Sequence, residues 1–471
     1  MPKQISQIEN KLAHFILETT WDSLPKIVQE RALICFLDNL MATLAGTITK
    51  SARIAADCAL DLFRGDEATL FCTGRRASAL GAAFANGVAA NAVDIDDCGL
   101  YTWGHPGAQV FPTALAVSER LQASGMAMLA ATVVGYEVMF RTGRCWYDND
   151  PLLRGCGSWG SPGCAAIAAN LNQLSKIQTL NALGIADFHS PSLPLMRSVD
   201  EPTMDKHGIG LGAFTGLMSA ELAARGFTGI TSILGNEKYQ DWVGDIGDEY
   251  ILPYGISWKD FCCCAWAHPA LYGVKKIQAK ANFSPDEVSR IVVEVYAEAN
   301  HIGVKLPETT EEAQFNLAWP LAILMIDGEV GLKQILEPRL SDERVRTLAA
   351  KVELIISDEL TRLYENSERG DPEGTEAARV TIELADGRRL ESGFSENPPY
   401  RRQKWDRLRM EKKFRWLLSG FVPTSATEEL IKMVWSFDQL NNVGMFTEFI
   451  RSLQLPGNGL WLIIILMTLL T

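Results

Sequence analysis

Two stretches constrain the fold more than anything else in the sequence. Ile34–Ala45 (ICFLDNLMATLA) and Met126–Phe140 (MAMLAATVVGYEVMF) are apolar on nearly every face of a helix. A surface helix keeps a polar stripe, whereas a helix apolar all round must lie inside a bundle. Both belong to a span from residue 8 to about 280 that is rich in Ala, Leu and Gly and is broken by short Gly and Pro segments such as 104–107 and 161–163. Glu137 and Arg141 are spaced i, i+4 and read as a pair.

The texture changes near Phe283. Ser284-Pro285-Asp286-Glu287 is a capping box with Pro at the first helical position. Ile291–Tyr296 (IVVEVY) is β-branched and strand-like, and Ala378–Leu384 (ARVTIEL) alternates apolar and polar residues. Asp386-Gly387 makes a tight turn into a returning strand, 388–392. After Pro399 the chain is helical again, from about Trp405 to Leu453. The expected fold is mainly α. A large all-helical domain, 1–280, is completed by a return segment, 397–455. A smaller α+β lid domain, 281–396, is inserted between them, and 456–471 is an atypical apolar tail.

Lys plus Arg number 44 against 57 Asp plus Glu, a net charge of −13, which argues against a nucleic-acid partner. A local positive pocket for an anionic substrate remains open. Apolar residues at 47% and charged ones at 21% exclude a disordered, collagenous or coiled-coil chain. None of the ten cysteines forms a C-x-x-C pair, so they read as buried free thiols of a reducing compartment. MPKQISQIENKLAHF has no apolar leader, and the expected location is intracellular, cytoplasmic or in the mitochondrial matrix. Leu460–Leu470 (LWLIIILMTLL) is shorter than the ~20 residues a spanning helix needs. It reads as a buried terminal helix or an abnormal end to the reading frame, with membrane contact as the other reading; no membrane partner is expected.

Of the six histidines, His14 reads as structural and His301 as exposed. His105, His189, His207 and His268 fall in or near predicted loops, where catalytic groups concentrate. Three carboxylates in Asp94-Ile95-Asp96-Asp97 are followed by Thr102 and His105-Pro106-Gly107. Such a set supplies a base and its orienting acid; a hard-cation loop and a plain cap cluster are the alternatives. Arg197, then Thr203–Gly212 (TMDKHGIGLG), puts Lys206 and His207 before a Gly-spaced helix start. That suits a carboxylate, or close packing alone. In Lys259–Pro269 (KDFCCCAWAHP), His268 precedes a helix-starting Pro and is either functional or a buried structural histidine. Three adjacent thiols cannot aim at one ion, so no metal is expected there. Gly155–Gly160 (GCGSWG) matches G-x-G-x-x-G without a preceding strand and is not a dinucleotide loop. The basic run Arg401–Arg415 is interleaved with Asp406 and Glu411 and reads as a solvated helix face.

Together these segments resemble the MmgE/PrpD family, which includes 2-methylcitrate dehydratases, cis-aconitate decarboxylases and iminodisuccinate epimerases. The resemblance runs from about residue 8 to residue 450. It passes through LPKIVQERALICFLDNLMATLAG, DIDD with GHPGAQVFPTALA, GIADFHSP, LMRSVDEPTMDKHGIGLGAFTGLMSAELAARGFTG, CCCAWAHPAL and EEAQFNLAWPLAILMIDGEVG. It implies a helical domain with an α+β lid, a homodimer, and a cleft site that uses neither metal nor organic cofactor. By position it implies Asp94, His105, Lys206 and His268 as acid–base and carboxylate-binding groups. Three positions depart from common members: Cys98 stands where Thr often follows DxDD, Arg154 where many carry His, and Ala265 where Arg often follows the cysteines.

The implied activity is that of a hydro-lyase. Removing a proton α to a carboxylate builds charge that Lys or His cations stabilise. A neutral imidazole serves as base, and a second, protonated group releases hydroxyl as water. The expected catalytic groups are Asp94, His105, Lys206 and His268; the expected substrate-binding groups are Arg154, Arg197, His207, His189 and Thr102. The substrate would be a small di- or tricarboxylate, 2-methylcitrate or a longer alkylcitrate. Decarboxylation of cis-aconitate, epimerisation of a dicarboxylate and a non-catalytic binding role are the alternatives.

Overall fold

Serine and threonine caps set the helices of the first half of the chain. Ser6 closes a capping box on Gln7–Glu18. Thr49, Ser78, Ser124 and Ser175 accept an amide at the start of Lys50–Leu62, Ala79–Asn91, Gly125–Asn149 and Lys176–His189. The computed structural model describes residues 5–71, 73–99, 102–150, 152–368, 371, 373–397 and 405–453, and it is mainly α, as expected.

The two apolar stretches lie in Lys26–Gly46 and Gly125–Asn149, where every residue from Ile34 to Gly46 and from Met128 to Gly143 is buried. Backbones touch where side chains are absent. A Cβ on Gly46 would lie 1.8 Å from the Ala89 carbonyl oxygen. One on Gly212 would lie 2.6 Å from Gly157 Cα, so Cys156–Leu171 and Ile209–Ala224 meet backbone to backbone. The glycines of GCGSWG therefore serve helix packing. Glu137 and Arg141 pair as their spacing indicates, and both also hold the following loop. Arg141 donates to Asp245 Oδ1 at 2.9 Å, while the Ile251 and Leu252 amides donate to the Glu137 carboxylate.

The α+β part carries a four-stranded sheet in the order Val352–Ile356, Val288–Val295, Glu376–Leu384, Arg389–Asn397. The first pair is parallel and the others are antiparallel. The sequence pattern does not mark Val352–Ile356, because Ile355 and Ile356 are exposed and alternation is lost. The Ser284 capping box closes only one turn, Pro285–Glu287, before β-branched residues take over. Helix His268–Lys280 packs on the two antiparallel strands. Helices Arg407–Leu418, Thr424–Trp435 and Gly444–Ser452 follow, and the first two pack on Lys26–Gly46. The Phe36 ring lies 4.6 Å from Phe437 and 5.6 Å from Phe446.

In the basic run, Arg407 and Arg415 pair with Glu411 on the helix surface. Lys413 departs from the solvated reading: it is buried, 2.5 Å from Asp38 Oδ1. Residues 401–404 of the run and the tail 456–471 lie outside the described residues. No single helix among the described residues is long and apolar enough to cross a membrane.

Candidate active site

The acidic loop is fixed at both ends. Helix Ala79–Asn91 runs into it, and Cys98–Gly99 pairs antiparallel with Ile256–Ser257 just beyond it. With Cys98 opposite Ser257, the chain leaving that ladder returns Lys259 to the loop. Its Nζ lies 2.8 Å from Asp94 Oδ2 and 3.0 Å from the Asp94 carbonyl oxygen. Lys206 Nζ and His105 Nε2 approach the other carboxylate oxygen, Oδ1, at 3.6 and 3.5 Å. Lys206 also donates to the Asn91 carbonyl at 2.5 Å and to Gln314 Oε1 at 2.6 Å. Asp94 (φ +53°) and Lys206 (φ +44°) both adopt left-handed backbone, which costs a residue with a Cβ and persists where surroundings fix it.

Asp96 and Asp97 hold the histidine. His105 Nδ1 lies 2.9 Å from the Asp97 carbonyl oxygen and 3.2 Å from Asp96 Oδ2. The Asp97 carboxylate receives the Gly107 amide at 2.9 Å, Tyr136 OH at 2.6 Å and Asn39 Nδ2 at 3.2 Å. A side chain on Gly107 would fall 2.1 Å from Asn39 Nδ2, so the His-Pro-Gly turn requires its glycine. The His207 ring lies 5.1 Å from that of His105 and 5.6 Å from Phe315, and its buried Nδ1 has no hydrogen-bond partner among the described residues.

Burial penalises every charge here, and neighbours decide the outcome. Burial would raise the Asp94 pKa, but Lys259, Lys206 and His105 hold it well below the usual carboxylate range. Burial opposes charge on His105, but Asp96 raises its pKa well above the ordinary value. Asp94 also favours charge on His207, but burial, then the His105 cation, outweighs it and pushes the pKa down to about 3. Two lysines and a protonated histidine thus face Asp94, Asp96 and Asp97, so that cations and carboxylates balance within the buried cluster.

Lys206 is also part of the wall of a cavity of about 660 Å³ that includes Asn91, Arg197 and apolar side chains such as Ile54, Phe84 and Val88. The structure therefore brings together Asp94, His105, Lys206 and His207, with Arg197 exposed on the cavity wall. Thr102 is buried nearby, its hydroxyl donating to the Gly99 carbonyl. Arg154 is turned onto Asp150 at 2.7 Å and the Trp146 ring at 4.2 Å. His189 is exposed at the end of its helix, against Phe188. His268 is buried beside Phe261, with Nε2 unpartnered among the described residues; burial, then Lys259, pushes its pKa down to about 3. No hydrogen bond or ion pair among the described residues joins it to Asp94.

Asp94, His105 and His207 offer donor atoms within 4.8 Å of one another. Two ammonium groups already neutralise the one carboxylate of that set, which makes it a poor cradle for a divalent cation. The sequence reading assigned no role to Lys259, Gln314 or Lys413. None of the three carried a local signal, since their partners lie far away in sequence.

Models described as the MmgE/PrpD N-terminal domain and the MmgE/PrpD C-terminal domain match residues 10–243 and 261–439. A cis-aconitate decarboxylase of Aspergillus terreus is 24% identical over 95% of this chain and 96% of its own length. The cis-aconitate decarboxylase-like protein oryM of Aspergillus oryzae is 26% identical, covering 84% and 89%. The cis-aconitate decarboxylase of Homo sapiens is 25% identical, covering 91% of each.

Proposed function

The chain belongs to the MmgE/PrpD family, and from that premise we propose that it is a lyase acting on a citrate-like tricarboxylate, by acid–base chemistry without metal or organic cofactor. The observation that carries this reading is the pair of adjacent imidazoles whose environments push their protonation apart. Such a split assigns an acid and a base within one site. Lys206 holds a substrate carboxylate, with Arg197 guiding it from the cavity wall. The negative charge of the bound polyacid raises the proton affinity of neutral His207, which takes the proton from the carbon α to that carboxylate; the C–H pair becomes the new C=C bond, and the C–O bond breaks. Protonated His105, held by Asp96, gives its proton to the departing hydroxyl, which leaves as water. Lys206 and Lys259 stabilise the enolate-like charge, and Asp94 keeps both ammonium groups in place. His268, neutral and buried, is linked to the site in this reading through the Lys259 charge that helps lower its pKa.

On this reading the substrate is 2-methylcitrate or a longer alkylcitrate. A second reading, decarboxylation of cis-aconitate, is favoured by the names of the relatives at 24–26% identity. It needs the same cations and the proton on His105, but no base. Mass spectrometry after incubation with alkylcitrates and with cis-aconitate separates the two: loss of water marks dehydration and loss of carbon dioxide marks decarboxylation. No change in any polycarboxylate refutes both.

The working unit is proposed to be a homodimer, as the family resemblance implies. The location is proposed to be intracellular, in keeping with the free cysteines among the described residues.

A further inference from the structure

Lys206 has three partners, and they differ in how firmly they are held. The Asn91 carbonyl, at 2.5 Å, belongs to the end of a helix in the body of the helical part. Asp94, at 3.6 Å, is already bound at 2.8 Å by Lys259. Gln314, at 2.6 Å, comes from the short helix Thr310–Gln314, which packs on Ala318–Asp327 and the helices that follow it. Its side chain is fully buried, and its amide also donates to the Ala92 carbonyl at 3.0 Å and to Thr310 Oγ1 at 3.1 Å. The next residue, Phe315, lies over both Lys206 and His207.

An ammonium has three protons to donate. Two go to the Asn91 carbonyl and Gln314 Oε1 in hydrogen bonds, while the third faces Asp94 at 3.6 Å, beyond hydrogen-bond length. A substrate carboxylate that binds Lys206 through both oxygens must therefore replace one of the two. We infer that Gln314 is a positioning residue whose Oε1 occupies, on Lys206, the place of a substrate carboxylate oxygen and yields it when the polyacid binds. Gln314 is the neutral partner of the three that is not main chain, so a carboxylate outcompetes it for a cation. The amide it keeps on Ala92 holds the residue beside the site. The freed Oε1 is a buried acceptor that needs a new donor, and a hydroxyl on the substrate supplies one. Gln314 thereby ties the seating of the α+β part to occupancy of Lys206 and favours hydroxylated polyacids over plain ones. The inference rests on Lys206 as the carboxylate holder.

Calorimetric titration of the full chain with citrate and with tricarballylate, which lacks the hydroxyl, tests it. Gln314→Met removes the competing oxygen, and tricarballylate should then bind roughly fivefold tighter. Gln314→Glu puts a permanent carboxylate on Lys206 and should weaken both ligands by about tenfold or more. Unchanged affinity in both variants, or parallel weakening in both, overturns the inference. If Gln314→Met does not fold, as judged by its melting curve, Gln314→Glu decides alone. Lys206→Ala separates the premise from the inference: if it binds like the wild type, Lys206 does not hold the carboxylate. If it loses binding while the Gln314 variants behave like the wild type, only the inference fails. No binding by any form, wild type included, refutes both.

Discussion

The rings of His105 and His207 lie 5.1 Å apart, tilted by 37°, and hold protons with opposite tendencies because Asp96 lies 3.2 Å from one, while burial and the His105 cation outweigh Asp94 at the other. Equal burial would otherwise keep both neutral. The same chemistry that divides them sets how the protein responds to pH.

His207 and His268, both pushed down to about 3, stay neutral in the folded chain while unfolded histidines take up protons below about pH 6.5. Their depressed pKa values therefore cost stability as pH falls from about 6.5 toward 3, by up to about 1.4 kcal/mol per pH unit for each group. His105 has the opposite sign: its raised pKa gives stability that is complete below about 6.5 and is lost as pH rises through the folded value. Urea denaturation from pH 4 to 9 should show the difference between wild type and His207→Gln growing on the acid side. For His105→Gln it should change on the alkaline side. Differences that do not vary with pH contradict these assignments.

Lys259→Met leaves Asp94 with partners no nearer than 3.5 Å. Removing one member of a buried ion pair costs about 3–5 kcal/mol. Urea denaturation should show a loss of that size, together with loss of turnover. A loss below about 1 kcal/mol would mean the pair does not hold the loop.

Gly107→Ala drives a methyl group into Asn39 and Asp97, 2.1 and 2.5 Å from the new carbon. Overpacking of this kind costs about 1–3 kcal/mol, and here it also displaces the carboxylate that caps the His105 turn. Lower melting temperature and lower kcat are expected together. A variant stable and active as wild type would show that this turn tolerates movement.

Arg197 is exposed on the cavity wall, and no hydrogen bond or ion pair among the described residues joins it to the Asp94 cluster. Arg197→Ala should raise KM roughly three- to tenfold with kcat and melting temperature unchanged, the pattern of a uniform binding contact. A fall in kcat at constant KM would place Arg197 in the reacting centre instead.

Much of this was legible in the sequence where cause and effect are local. Ile34–Gly46 is buried because nearly every face is apolar, and the hairpin at Asp386-Gly387 follows from turn chemistry, Gly387 having φ +87°. His105 of the HPG segment comes eight residues after the end of DIDD, so Asp94 and His105 could be read together. Lys259 comes 165 residues after Asp94, and Gln314 comes 108 after Lys206. Only tertiary packing brings such pairs together, and no local pattern encodes it. Arg154 shows the converse: its position suggested a substrate contact, yet one of its guanidinium nitrogens is turned onto Asp150, four residues earlier.

The central claim is that the cluster around Asp94 carries out proton transfer on a polycarboxylate. Its most direct test is mass-resolved turnover of alkylcitrate and cis-aconitate by the wild type and by His105→Gln at equal folded concentration. The account predicts a product lighter by one water, or by one carbon dioxide on the second reading, from the wild type, and a rate lower by about 10²–10⁴ in the variant. Wild-type turnover by His105→Gln, or no reaction by the wild type with any polycarboxylate, would contradict it.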